Sequence, residues 1–181
     1  MTEGRLILMR HGETEYNKQS LMTGRRDVPL TEKGIQQARD AGLVLRGHFI
    51  HKTYSSTLSR AFNTAALALK AAALENLAIE QRAELVELDT GDFTGRCHHT
   101  DPEITAFGRT YARRLPGGES TEDVVKRVTQ FYEKEVVPRL ARGETVLIVA
   151  HAGILRAFDY IVGNRKVDGS NVRSEEHTSE L

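Results

Sequence analysis

Two short apolar runs, Leu6-Ile7-Leu8-Met9 and Val146-Leu147-Ile148-Val149-Ala150, constrain this chain more than any other feature. Neither alternates with polar residues, so each reads as a strand covered on both faces, as parallel sheets demand. Each run ends on a histidine: the first continues into Arg10-His11-Gly12, the second into His151-Ala152-Gly153. In open α/β sheets the ligand crevice lies beyond the carboxyl ends of the strands, so both imidazoles are expected at one sheet edge.

The segments between the runs supply the covering helices. After a polar loop, Thr31 is placed to cap a helix carrying Ile35, Ala38, Ala41, Gly42 and Leu45 on one face and stopping near Gly47. A short strand over 52–55 leads into a second helix, with Leu58, Ala61, Phe62, Ala65, Leu69 and Ala72 at helical spacing. A strand is expected over 77–81 and a helix over 101–114, ended by Pro116-Gly117-Gly118. Ser120 with Asp123 three residues on marks the start of another helix, and Pro138 interrupts its end. A last helix runs over 154–162. Helices alternating with strands predict an α/β domain built on a mainly parallel sheet.

Composition narrows the function classes. The chain has 181 residues, a length for one domain, with 25 Lys+Arg against 25 Asp+Glu. Balanced charge without a basic block argues against nucleic acid as a partner. Cys97 stands alone, which excludes an intrachain disulfide framework. The apolar segment over 65–74 contains Lys70 and falls short of the roughly 20 residues that span a bilayer. No signal-peptide core precedes Leu6, so a cytoplasmic setting and no membrane contact are expected.

Residues 173–181, Arg-Ser-Glu-Glu-His-Thr-Ser-Glu-Leu, show no apolar period and resemble the in-frame translation of a sequencing adapter. Residues 1–172 are then expected to form the domain, incomplete at its C-terminus, with 173–181 a non-native tail. That tail contains one Arg and three Glu, so residues 1–172 hold 24 basic and 22 acidic residues, a net +2.

Paired histidines beside arginine suit one chemistry. A neutral imidazole is a competent nucleophile, and its phosphoramidate passes the phosphoryl group on readily. Such transfer needs cationic donors around the equatorial oxygens. Arg10 adjoins His11, and Arg60 opens the helix after Ser55-Ser56-Thr57-Leu58-Ser59. A leaving oxygen needs a proton, which a carboxylic acid can supply. Glu87 is the candidate, with Asp89 and Glu84 as chemical rivals. A metal site from Cys97, His98 and His99 is not expected, because adjacent side chains do not easily face one ion.

The motifs Arg10-His11-Gly12-Glu13-Thr14 with Asn17, Thr23-Gly24-Arg25-Arg26-Asp27 through Gly34, Tyr54 through Ala61, Glu87 with Gly91, Gly118-Glu119-Ser120 and Val146 through Arg156 occur in an order that resembles the histidine phosphatase superfamily. Within it they resemble the 2,3-bisphosphoglycerate-dependent phosphoglycerate mutases. The resemblance implies a three-layer α/β/α sandwich, no metal, His11 as phosphohistidine nucleophile, Arg10, Arg60 and His151 as phosphate pocket, and Glu87 as acid and base. It further implies Asn17, Thr23 and Gly24 as loop contacts to substrate, the pair Arg113 and Arg114 for a substrate carboxylate, and a small phosphorylated metabolite as substrate.

Departures from the pattern bear on the reaction. Mutases of this type carry an arginine and a tyrosine in the acid motif, where this chain has Glu87-Leu88-Asp89-Thr90-Gly91; the segment between Arg114 and Glu119 is shorter, and Ala152 replaces a glycine. On sequence, interconversion of 3- and 2-phosphoglycerate with 2,3-bisphosphoglycerate as primer stands first. Hydrolysis of small phosphate esters by the same route comes next, and a non-catalytic phosphate-binding protein third.

Overall fold

The computed structural model describes residues 3–108 and 110–163. The expected end of the domain at 172 and the tail over 173–181 lie outside them. Four strands, β1 (Arg5–Arg10), β2 (Lys52–Ser56), β3 (Ile79–Arg82) and β4 (Thr145–Ala150), form one sheet in the order β1-β4-β2-β3. All three pairings are parallel. The helices are α1 (Glu15–Lys18), α2 (Glu32–Val44), α3 (Ser59–Ala71), α4 (Pro102–Phe107), α5 (Thr121–Phe131), α6 (Val137–Ala141) and α7 (Ala152–Val162).

Alternation within the apolar strands builds the three layers. Val146, Ile148 and Ala150 of β4 pack with Val124, Val128 and Phe131 of α5 and Ile154, Ala157 and Phe158 of α7. Leu147 and Val149 face the opposite way, onto Ala65, Ala68 and Leu69 of α3 and Leu45 at the end of α2. A one-residue slip of β4 would exchange these two sets between helical layers of different shape, which fixes the register. That register pairs Leu6 with Val146 and Arg10 with Ala150.

Caps behave as their residue types dictate. Thr31 accepts from the Gly34 N–H, and Ser120 and Asp123 form a reciprocal box at the start of α5. Pro138 lacks an N–H, and the chain meets it with a widened turn over Tyr132–Val136 before α6 begins.

Two expectations need correction. The helix over 101–114 ends at Phe107, because Gly108 takes φ +63° and breaks the i→i−4 ladder. The chain then doubles back, and Arg113 Nη1 donates to the Phe107 carbonyl at 2.5 Å. The polar loop before Thr31 contains a one-turn helix, α1, held by a capping box between Thr14 and Asn17.

Candidate active site

The register of β1 and β4 sets the geometry of the site. Since Arg10 pairs with Ala150, the next residue on each strand is a histidine, and neighbouring strands lie about 4.8 Å apart. The two imidazole centroids are 5.0 Å apart with ring planes at 60°. The His11 N–H donates to the Ala150 carbonyl at 3.0 Å, which carries the pairing one residue past the strand.

His11 is held in one tautomer. Its Nδ1 lies 2.7 Å from the Gly12 carbonyl oxygen, so Nδ1 carries the proton and Nε2 keeps a lone pair. Burial pushes its pKa down from 6.5 to about 3; the Gly12 carbonyl acts in the opposite direction, and Arg60 and Arg10 add to the lowering. His151 is completely buried, and desolvation, with His11, Arg60 and Arg10, holds its pKa well below the ordinary histidine range. Both rings are therefore neutral at physiological pH.

Arg60 is also fully buried. Nη1 donates to the Arg26 carbonyl at 2.7 Å and Nη2 to the Gly24 carbonyl at 2.9 Å, so the guanidinium ties down the loop over 23–27. One turn on in α3, the Thr64 hydroxyl donates to the Arg60 carbonyl at 2.7 Å and accepts from the Gly12 N–H at 3.0 Å. Arg60 Nε and both ring nitrogens of His151 are buried without a partner among the described residues. Buried polar groups are nearly always satisfied, which singles these three atoms out; Arg60 lines the adjoining cleft, whereas His151 is not among the lining residues.

Glu87 reaches the cleft from the loop after β3. Its carboxylate accepts from the Leu88 N–H at 2.7 Å and the Gly153 N–H at 3.3 Å, at the amino end of α7. Arg127 of α5 donates to the carbonyls of Glu84 (2.5 Å) and Glu87 (3.4 Å) and to Glu119. Glu119 also accepts from Arg25 at 2.8 Å and from the Asp89 N–H at 3.0 Å. One carboxylate thus joins the loop over 23–27 to the loop bearing Glu87. Gly24 lies against Thr90 across the same junction: a Cβ there would stand 2.3 Å from the Thr90 hydroxyl, and its φ is +49°.

Arg10, His11, Arg60 and Glu87 line a cleft of about 770 Å³ together with Asn17, Thr23, Gly24 and Arg113. Asn17 uses its carboxamide oxygen to accept from Thr14. Arg113 stacks on Phe107, 3.9 Å from the ring centroid. Arg114 is not among the cleft residues; it donates to the Gly118 carbonyl and pairs with Asp123 at 2.8 Å. Asp89 caps Gly91 and Glu84 pairs with Arg82, so of the three rival carboxylates only Glu87 lines the cleft. Sequence reasoning gave no role to Arg127, Glu119, Thr64 or Arg156. Arg127 looks there like any charge on the polar face of an amphipathic helix, whereas Thr64, four residues after Arg60, was readable from helical spacing.

Neutral imidazoles, a buried guanidinium and a carboxylate meet at the carboxyl edge of the parallel sheet of an α/β/α sandwich, with His11, Arg60 and Glu87 lining one cleft. The chain belongs to the histidine phosphatase superfamily (branch 1), whose family model matches residues 6–170. It is 38% identical over 160 residues to a 2,3-bisphosphoglycerate-dependent phosphoglycerate mutase of Parvibaculum lavamentivorans, covering 84% of this chain and 76% of that one. Among solved structures it is similar to a mycobacterial glucosyl-3-phosphoglycerate phosphatase in complex with VO3 (31% identity, TM-score 0.76, 90% of this chain and 83% of that one). It is also similar to a phosphoglycerate mutase of Bacillus anthracis (27% identity, TM-score 0.79, 93% and 84%). Members of this family are enzymes, and this chain carries their fold. Among the described residues there is no cluster of three metal-ligating side chains and no helix long and apolar enough to cross a membrane.

Proposed function

We propose that this chain transfers the phosphoryl group of a small phosphorylated metabolite through a phosphohistidine at His11, with water as the principal acceptor. The observation that carries the reading is the register pair: a His11 ring whose Nε2 is free, beside a buried His151 and Arg60 with three unpartnered nitrogens. The His11 Nε2 lone pair attacks phosphorus in line, and the bond from phosphorus to the alcohol oxygen breaks. Glu87 in its acid form gives that oxygen a proton. Arg10 and Arg60 hold the equatorial oxygens, and His151 contributes a ring nitrogen to the same pocket. In the second half a water attacks phosphorus, gives a proton to the Glu87 carboxylate, and the nitrogen to phosphorus bond breaks with its electrons returning to Nε2. Asn17, Thr23 and Gly24 position the ester from the loop side.

Hydrolysis is favoured over return to a bound acceptor because the pair proposed to clamp a substrate carboxylate is not assembled in the cleft. Arg114 is engaged by Asp123, and Leu88 and Thr90 line the acid wall. The competing reading, mutase turnover primed by 2,3-bisphosphoglycerate, is supported by the name of the Parvibaculum relative. Incubation with 3-phosphoglycerate, with and without 2,3-bisphosphoglycerate, separates them. Release of inorganic phosphate ahead of 2-phosphoglycerate is the expected result; primer-dependent 2-phosphoglycerate with little phosphate would establish the mutase. Vanadate, which adopts the geometry of a phosphoryl group in transfer, is expected to inhibit either activity.

A further inference from the structure

The four guanidiniums of the cleft are not equally committed. Arg60 gives both Nη groups to loop carbonyls and keeps only Nε for the phosphate, and Arg113 is held by the Phe107 carbonyl and ring. Arg10 stands beside His11, where the transferred phosphate goes. Arg156 of α7 lines the cleft, is half-buried, and has no hydrogen bond or ion pair among the described residues. A half-buried cation without a counter-charge is an unusual expenditure of desolvation unless a ligand supplies the anion.

Charge balance points the same way. The cleft is lined by Arg10, Arg60, Arg113 and Arg156 against two carboxylates, Glu87 and Glu119. Glu119 is already neutralised by Arg25 and Arg127. The lining keeps an excess of three positive charges with Glu87 ionised and four with Glu87 in the acid form that meets the ester; a phosphate ester dianion matches two. At least one positive charge is left for a second group on the ligand.

Position on the helix assigns that charge. Arg156 lies five residues after His151, about 7.5 Å along the axis at 1.5 Å per residue. Helical side chains lean back over the preceding turn, which brings the guanidinium toward Ala152 and Gly153. Gly153 is the residue whose N–H holds Glu87, the proposed proton donor to the leaving alcohol. An anionic group a few bonds from the scissile oxygen therefore falls within reach of Arg156.

We infer that Arg156 is a specificity-determining residue that selects phosphate monoesters whose alcohol carries a second anionic group of carboxylate type. The inference rests on the proposed function for the placement of the phosphate at His11. A matched pair of ligands tests it: 3-phosphoglycerate and glycerol 3-phosphate differ by a carboxylate in place of a hydroxymethyl group. Dissociation constants are measured by titration calorimetry on His11→Ala protein, which cannot turn the ligands over by the proposed route, with and without Arg156→Gln or Arg156→Lys. The expected result is a preference for 3-phosphoglycerate that falls about tenfold in Arg156→Gln, 1.4 kcal/mol in discrimination, and is partly kept in Arg156→Lys. A preference that Arg156→Gln leaves unchanged, whether both affinities fall together or neither moves, overturns it, as does the absence of any preference. Failure of the proposed function shows separately, as absence of His11-dependent turnover of either ester, and leaves the binding ratio readable.

Discussion

Gly153→Ala separates the chemistry of this site from its architecture. A Cβ on Gly153 would stand 2.2 Å from Glu87 Oε1, where ordinary contact begins at 3.4 Å, so the carboxylate must retreat by about 1.2 Å. The clashing atom is the far end of a flexible side chain, and the backbone is spared. Alanine in the first turn of α7 should itself help the helix, by up to about 1 kcal/mol. The opposing effects therefore fall on different observables. A proton donor displaced by about 1 Å loses on the order of 100-fold in rate, while the melting temperature holds or rises. The assay is single-turnover release of alcohol from 3-phosphoglycerate, which needs a proton on its leaving oxygen, beside p-nitrophenyl phosphate, which does not. The expected result is about a 100-fold fall on the alkyl ester and less than tenfold on the aryl ester. Equal falls on both, no fall on either, or a lowered melting temperature would refute the placement of Glu87 as acid.

Other outcomes follow from the same contacts. Arg127→Ala leaves Glu119 and the carbonyls of Glu84 and Glu87 short of a half-buried charged donor, so stability should fall by about 1.5–3 kcal/mol in chemical denaturation and turnover should fall with it; Arg127→Lys should recover part of both. Arg114→Ala removes an exposed ion pair and should change stability by less than about 1 kcal/mol and leave the KM for 3-phosphoglycerate unchanged; a raised KM would restore Arg114 to substrate binding. His11 is held neutral, with its pKa lowered from 6.5 to about 3, and His151 is lowered too. The unfolded chain then binds more protons than the fold below pH 6.5, so stability is full above that pH. For His11 it declines on acidification toward pH 3, by up to about 1.4 kcal/mol per pH unit, and His151 adds to the loss in the same direction. Thermal melts between pH 7 and 5 check the slope, which His11→Asn should reduce and which a flat profile would contradict.

Much of the fold was legible because it rests on period. The unbroken runs ending at Met9 and Ala150 read as strands covered on both faces, which holds for β4, while β1 at the sheet edge is only partly buried; the parallel sheet followed from the helices between them. The register that sets His11 beside His151 was legible in part, since each imidazole follows directly on its strand. The helix expected over 101–114 failed at Gly108, which takes a positive φ that its neighbours' helix propensity could not override. Arg114 was read from its pairing in sequence with Arg113, but a reversal of the chain after Phe107 sends the two side chains to different partners. Arg127 escaped notice and Glu119 was read only within the motif Gly118-Glu119-Ser120, without a role, because what they do depends on two loops meeting in space, which no local spacing records.

The central claim is a phosphoryl group carried on His11. Rapid quench of the protein with 32P-labelled substrate, followed by peptide mapping under alkaline conditions that preserve phosphoramidates, tests it directly. The account predicts stoichiometric, acid-labile label on the peptide containing His11, and neither label nor turnover in His11→Ala. Undiminished turnover in His11→Ala, or label on any other residue, would contradict it.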